Sequence, residues 1–482
     1  MNRRHTSLLA TLCLGALAAC SGDVVQPTSL DVPRAAVNAP VIGDGTGNFL
    51  VLLKNSNSAK AVAAKVEALG GTVTYMHEGA GIATVAGLSD AAATQLAANS
   101  AVQEVKANRV VSLVAPAEVT AAMPEISIES QSAPQTAVLF SWQWNMQAIN
   151  APAAWAAGKL GSPNVTVAII DSGLDYDNRD LTGLVDLSRS ASFVASDDSL
   201  ASARFPTRNK IVDFNGHGTN VGATVSSKAF AFAGVTSRTT LIGVKAVGRT
   251  GSGPLGNILL GILWAADHNA NIANMSLGAA FSKAGAQGLG GFLNRVINYA
   301  NKQNMLIVAA AGNDTADLDH DGNTYSTWCS APHVVCVSAV GPQTPTGSFD
   351  VPATFTNFGR SAISVAAPGG NDSPVVSTWP WGNTNFSAVW SFCARQKVTG
   401  FSSTGVPTTP CSGGGTVSGQ AGTSQASPHV AGLAALLMAE YPSLSMGEIK
   451  AKILDSADDL GPTGVDPYYG RGRINVAKAL GL

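Results

Sequence analysis

Charged side chains are scarce in this 482-residue chain, at 12%, about half the usual share. With 45% apolar residues, so little charge excludes a disordered polyelectrolyte. The signs also balance, since 29 Lys plus Arg against 31 Asp plus Glu leave a net charge of −2. No basic excess points to nucleic acid, and no acidic excess points to a halophilic surface. Past the first twenty residues no apolar run is long enough to cross a bilayer as a helix. No Cys-x-x-Cys pair or nearby paired His supports a zinc site. What is abundant is glycine, at 51 residues, which implies tight turns and close backbone approaches. The length predicts two or three domains.

The first segment addresses the chain rather than folding it. Arg3 and Arg4 precede an apolar run, Leu8 to Ala19, too short for a stable anchor. The run closes on Leu17-Ala18-Ala19-Cys20, which resembles the lipobox of bacterial lipoproteins. Residues 1–19 are read as a signal peptide and Cys20 as the lipidated residue, in preference to ordinary cleavage near Ala18. The expected precursor is exported and membrane-anchored. Of six cysteines, Cys13 and Cys20 fall in this segment. The other four read as disulfides in an exported chain, and of three possible pairings the nearest-neighbour set, Cys329–Cys336 and Cys393–Cys411, is taken.

Residues 20–47 read as a tether. Residues 48–114 then carry a compact pattern. Phe49 to Leu53 reads as a buried strand, and Ala59 to Leu69 as a helix stopped by Gly70-Gly71. Thr72 to Glu78 and Gly81 to Leu88 read as strands, Ser89-Asp90 as a helix cap, and Val102 to Leu113 as a last strand. The order β-α-β-β-α-β predicts a ferredoxin-like α+β unit, which by itself fixes no function. Residues 115–140, with Pro116, Pro124 and Pro134, read as an exposed linker open to proteolysis.

Four segments of residues 141–482 carry chemistry. Val165 to Ile170 is an apolar run ending in Asp171-Ser172-Gly173; such runs read as buried parallel strands, with sites at their carboxyl ends. Asn215-Gly216-His217-Gly218-Thr219 puts a histidine at the mouth of a small apolar helix. Leu306 to Gly312 is a second apolar run, ending in Asn313, and Gly422-Thr423-Ser424-Gln425-Ala426-Ser427-Pro428-His429 opens a long apolar helix. Taken singly, Asp171 reads as a turn cap, His217 as a core histidine and Ser424 as a helix N-cap. Together, in the order Asp, His, Ser, they resemble subtilisin-like serine proteases. Asn274-Met275-Ser276-Leu277-Gly278 resembles that family's substrate strand, and the similarity runs from about Trp144 to Leu482.

The resemblance implies an α/β fold, a subtilisin-like mostly parallel sheet with helices on both faces. It implies a serine endopeptidase with Ser424 as nucleophile, His217 as general base, Asp171 as its orienter and Asn313 in the oxyanion hole. Ser276, Leu277 and Gly278 would form one wall of the substrate cleft, and Ala310, Ala311 and Gly312 another. Gly251, Ser252 and Gly253 would flank the peptide by their backbone. Residues 48–114 would be a propeptide, both folding helper and inhibitor of its own enzyme. Self-cleavage in the linker would free a soluble, extracellular or surface enzyme. Protein and peptide substrates, broad specificity, a preference for an apolar residue before the scissile bond and a monomeric state follow from the same likeness.

Some residues depart from that pattern. Gln425 stands where the family usually has Met, which would remove an oxidisable thioether beside the nucleophile. The stretch Gly369 to Gly419 is longer than usual and holds Trp379, Trp381, Trp390 and the Cys393/Cys411 pair; it reads equally as a cleft rim or as a stapled surface excursion. Asp317-Leu318-Asp319-His320-Asp321-Gly322-Asn323 resembles a calcium loop, with Asp317, Asp319, Asp321 and Asn323 as ligands and the distal Glu missing, and reads equally as an acidic surface turn. No cofactor is expected for catalysis. An α/β-hydrolase esterase is disfavoured, because Ala426 stands where the Gly-x-Ser-x-Gly elbow needs glycine. A non-enzymatic surface lipoprotein is disfavoured by the intact Asp171, His217, Ser424 and Asn313.

Overall fold

The computed structural model describes residues 44–113, 118–122, 133–278, 280–282, 288–320, 322, 324–326, 328–344, 347–371 and 387–482. The signal peptide, Cys13, Cys20 and nearly all of the tether lie outside the described residues, as do Asp321, Asn323, Trp379 and Trp381.

Seven parallel strands form the central sheet, in the order Val365–Pro368, Val334–Val340, Leu306–Ala310, Ile272–Met275, Thr166–Asp171, Thr240–Lys245, Ala191–Ser192. The winding reverses beside Thr166–Asp171, so Asp171 ends a strand at the switch point, where open α/β sheets place their sites. The unbroken apolar run of that strand is explained by burial on both faces. Val167 and Ile169 join one core with Val221, Val430 and Leu433, from helices His217–Val225 and Thr423–Glu440. Ala168 and Ile170 join the other with Ile258, Ile262, Phe292 and Val296, from helices Leu255–Asp267 and Leu289–Lys302. The expected helices on both faces are present.

The small domain is a four-stranded antiparallel sheet, in the order Thr72–His77, Ile82–Ala86, Phe49–Leu53, Val102–Ala107, with helices Ala59–Ala68 and Asp90–Ala97. Phe49, Val51 and Leu53 pack on its own helices. Leu50, Leu52 and Ile82 point the other way, into the core that holds Ile258 and Phe292. The second apolar face of this sheet is therefore covered by two helices of the larger body. His77 Nε2 donates to Asp267 Oδ2 across the same junction (2.9 Å), its Nδ1 being taken by the Ala80 N–H (2.9 Å).

The expected last strand, Val102 to Leu113, is in fact two. Val102–Ala107 stays in the small sheet, and Val110–Ser112 pairs antiparallel with Ser252–Pro254. Between them Asn108 Oδ1 accepts the Gly256 N–H (2.8 Å) and the Arg109 carbonyl accepts the Leu255 N–H (2.8 Å), capping a helix of the larger body. Nor is the expected linker structureless throughout. Glu118–Ala122 is a strand on Thr416–Gln420, because Val119 and Ala121 alternate onto a cluster with Trp142, Trp390 and Val417. The disulfides Cys329–Cys336 and Cys393–Cys411 both form.

Leu52 is fully buried against the helices of the larger body. Leu52→Ala is expected to lower the stability of the docked small domain by about 2–5 kcal/mol, read as an earlier denaturant midpoint for that transition. An unchanged midpoint would contradict the packing described.

Candidate active site

Asp171 is completely buried at its strand end. A carboxylate there needs hydrogen-bond donors to offset its desolvation. Its Oδ1 accepts from the Ser172 N–H (2.7 Å), and His217 Nδ1 donates to Oδ1 and Oδ2 at 2.8 and 3.0 Å. Glycine permits this approach, since a Cβ on Gly218 would sit 2.2 Å from the Gly173 carbonyl and 3.1 Å from the Asp171 Cβ. With Nδ1–H committed to Asp171, Nε2 carries the lone pair, and among the described residues this buried nitrogen has no hydrogen-bond partner. Burial alone would push the His217 pKa down, but the Asp171 charge and hydrogen bond, aided by Asp213 and Glu118, hold it above its ordinary value.

Asp213 is a residue that motif reading passed over. It is fully buried, and its Oδ1 accepts from the Ser172 hydroxyl (3.0 Å) and the Asn215 and Gly216 N–H groups (2.9 and 2.8 Å). Its Oδ2 accepts from the Thr219 N–H (2.9 Å) and hydroxyl (2.6 Å). One carboxylate thus caps the His217 helix at its positive end and ties it to the Asp171 strand. Its signal was present in the sequence: an acid four residues before the histidine, ahead of a helix start.

Ser424 and His217 occupy the first turns of two packed helices, linked where Gln425 Nε2 reaches Asn220 Oδ1 (3.4 Å). The Ser424 hydroxyl donates to the Ser276 carbonyl (3.1 Å). Pro428 cannot donate to the Ser424 carbonyl four residues back, and the Ser276 hydroxyl does so instead, at 2.6 Å. The Ser276 side chain, expected on a cleft wall, is therefore a support beneath Ser424, fully buried and also bonded to Ser427 Oγ (2.9 Å) and Asn274 Nδ2 (2.9 Å).

Asn313 Oδ1 accepts from the Thr423 N–H and hydroxyl, both at 2.8 Å. A backbone N–H can only donate, so the amide oxygen faces Thr423 and the NH2 end is left for another acceptor. Thr423 Oγ1 also accepts the Gly312 N–H (3.0 Å). Thr423 thereby orients Asn313. Among the described residues the Ser424 N–H donates to nothing. Gly278 and Gly312 face one another, with a Gly278 Cβ falling 3.8 Å from the Gly312 Cα, while Leu277, Ala310 and Ala311 are buried beside them.

Gly251, Ser252 and Gly253 already carry a strand. The Leu113 N–H donates to the Gly251 carbonyl (2.7 Å), and Ser252 and Gly253 pair with Ser112 and Val111. Leu113 and Glu118 line one cavity with His217, Asn215, Arg249, Lys397 and Gln420. Lys397 and Val398 put the long stretch on the rim of that cavity. Its hold is the bidentate Arg395–Asp175 pair, at 3.0 and 2.7 Å. Gln425 is fully buried, its Nε2 donating to Gln420 Oε1 (3.0 Å). His429 is a core histidine, its Nδ1 donating to the Gln425 carbonyl and its Nε2 accepting from Asn145 Nδ2; burial pushes it down to about 4.

In the expected calcium loop, Asp317 accepts from the Asp319 and His320 N–H groups and the His320 ring, and Asp319 from the Ser361 N–H and hydroxyl. These bonds tie the described half of the loop to itself and to Ser361. Among the described residues no three His, Cys, Asp or Glu side chains gather as a metal site, and no helix is long and apolar enough to cross a membrane.

Residues 162–472 match the subtilase family model. Subtilisin of Bacillus pumilus is 31% identical over 340 residues, which are 70% of this chain and 98% of that protein. Subtilisin E of Bacillus subtilis (strain 168) is also 31% identical over 340 residues, 70% of each chain. The fold resembles the epidermin leader peptide processing serine protease of Staphylococcus aureus, with a TM-score of 0.67 at 22% identity over 90% of this chain and 98% of that one. It also resembles fervidolysin of Fervidobacterium pennivorans, a keratinolytic enzyme related to subtilisin, with a TM-score of 0.64 at 21% identity over 90% and 61% of the chains. With these likenesses and this arrangement of acid, imidazole and hydroxyl, the chain belongs to the subtilase family and is a serine-type endopeptidase.

Proposed function

We propose that the chain is an exported zymogen of broad specificity that cuts itself free, with Asp171, His217 and Ser424 as its triad and Asn313 in its oxyanion hole. The observation that carries this reading is the seating of the chain's own Val110–Ser112 on Ser252–Pro254, with Leu113 and Glu118 beside His217. An extended substrate would take the same seat, and the segment that occupies it follows directly on the small domain. Residues 48–114 are then a propeptide that blocks the cleft until the chain is cut at a peptide bond in the stretch from Leu113 to Glu118.

In the reaction the Ser424 hydroxyl turns from the Ser276 carbonyl to His217 Nε2. His217 takes its proton as Oγ attacks the peptide carbonyl, then returns it to the leaving amine. Asp171 keeps Nδ1 protonated and stabilises the imidazolium. The developing oxyanion is met by the Asn313 NH2 and the Ser424 N–H. Water repeats the sequence on the acyl-enzyme. Ser276-Leu277-Gly278, Ala310-Ala311-Gly312 and Gly251-Ser252-Gly253 hold the extended peptide by its backbone, which accounts for tolerance of many side chains. Lipid on Cys20 would hold the precursor at a bacterial membrane, and the cut would release the enzyme outside. A calcium ion held by Asp317, Asp319, Asp321 and Asn323 would be structural and would take no part in these steps.

Ser424→Ala is expected to keep the fold and lose all hydrolysis of a casein-derived peptide, together with covalent labelling by a fluorophosphonate. Asn313→Ala is expected to lower kcat by ~10²–10³ with little change in KM. Full activity or labelling in Ser424→Ala would overturn the assignment. His217 must be neutral to act as base, and its pKa lies above the ordinary 6.5. The acid limb of kcat/KM is therefore expected above pH 6.5, with activity lost as pH falls through it. A limb at or below 6.5 would contradict the Asp171–His217 coupling.

A further inference from the structure

The strand Thr416–Gln420 ends four residues before Ser424. One edge pairs with Val389–Phe392. The other carries Glu118–Ala122 in antiparallel register, from Thr416 opposite Ala122 to Gln420 opposite Glu118. The chain is thus held on two strand edges, residues 110–112 on Ser252–Pro254 and 118–122 on Thr416–Gln420, and Leu113 and Glu118 line the same cavity as His217. Glu118, at the cleft end, is held by its side chain as well. Its Oε1 accepts the Ser418 hydroxyl (2.7 Å) and its Oε2 pairs with Lys397. The Lys397 stem lies over Gly216, its Cδ 3.4 Å from where a Gly216 Cβ would sit, next to His217. Arg249, the other cation lining the cavity, is already paired with Asp197 (3.3 Å). Among the described residues Glu118 is the ion-pair partner of Lys397.

We infer that the Thr416–Gln420 edge, with Lys397 and Ser418, is a docking strand for the departing half of the substrate. It selects an extended peptide with an acidic residue where Glu118 now sits, followed by small apolar residues in alternation, as Val119 and Ala121 are. Lys397 is the specificity determinant, and the chain's own segment is the first occupant. The physical basis is ordinary. Backbone pairing to an open edge supplies affinity, and a largely covered lysine without its acidic partner would be left unpaired beside the cleft. Arg395, bound to Asp175 in the loop after Asp171, fixes this platform relative to the reacting groups. The inference rests on the endopeptidase reading, and adds to backbone recognition on the approach side a charge preference on the departure side.

The test uses the purified full-length gene product after self-processing, as wild type, Lys397→Ala and Lys397→Glu. Substrates are internally quenched peptides spanning residues 109–123, unchanged or with Glu118→Gln or Glu118→Lys, plus one ending at residue 117. Wild type is expected to favour the Glu118 peptide over the Gln peptide about five- to tenfold in kcat/KM, in keeping with a partly exposed charge pair. Lys397→Ala should level that ratio and Lys397→Glu should turn it toward the Lys peptide. All three enzymes should melt at the same temperature, which reports intact folding, and should differ from one another less on the peptide ending at 117 than on the Glu118 peptide. The same Glu-to-Gln ratio in all three would overturn the inference, including a ratio of one because the chain's own strand stays seated. Wild type cutting none of the peptides would overturn the endopeptidase reading itself, and this inference with it.

Discussion

A buried carboxylate with too few donors is unstable, and Asp171 meets that demand with His217. The bond from Nδ1 fixes the ring's tautomer, leaves Nε2 as the basic atom and raises the pKa against the pull of burial. Much of the surrounding structure serves this contact. The sheet reverses its winding beside Asp171, glycines 173 and 218 let the two backbones close on one another, and Asp213 caps the histidine helix while gripping Ser172. A second buried acid behind the first is costly unless fully bonded; Asp213 accepts five hydrogen bonds, which is why it can stay there.

The serine side follows a similar logic of displaced hydrogen bonds. Proline at 428 frees the Ser424 carbonyl, Ser276 satisfies it, and the Ser276 carbonyl in turn takes the Ser424 hydroxyl. Thr423 spends its N–H and hydroxyl on Asn313 and leaves that amide's donor end facing out. In the structure described, the hydroxyl rests on Ser276 and Nε2 of His217 is without a partner. This resting arrangement coincides with a cleft already crossed by the chain's own strands.

What the sequence disclosed was whatever depends on short-range pattern. The apolar run before Asp171 gave a strand buried on both faces, and the order of strands and helices gave the small domain. Nearest-neighbour spacing gave both disulfides. What it concealed depends on long-range partners. The last strand of the small domain breaks at Asn108 because a distant helix end needs a cap. The stretch taken for a linker holds a strand because Thr416–Gln420 offers a free edge some three hundred residues away in sequence. Ser276 looked like a cleft wall, since only the structure shows its hydroxyl turned under the Ser424 helix. Asp213 is not legible in the sequence because an acid ahead of a helix is common, and its partners at Ser172 and Thr219 come together only in the fold.

The central claim is that Ser424, activated by His217 and Asp171, cuts the chain that now blocks it. The most direct measurement is intact mass with N-terminal sequencing of purified wild-type protein beside Ser424→Ala. The account predicts a wild-type enzyme whose first cut falls between Leu113 and Glu118, and a variant that retains residues 49–113 on the same chain. Both proteins cut alike, or a wild type cut only elsewhere, would contradict it.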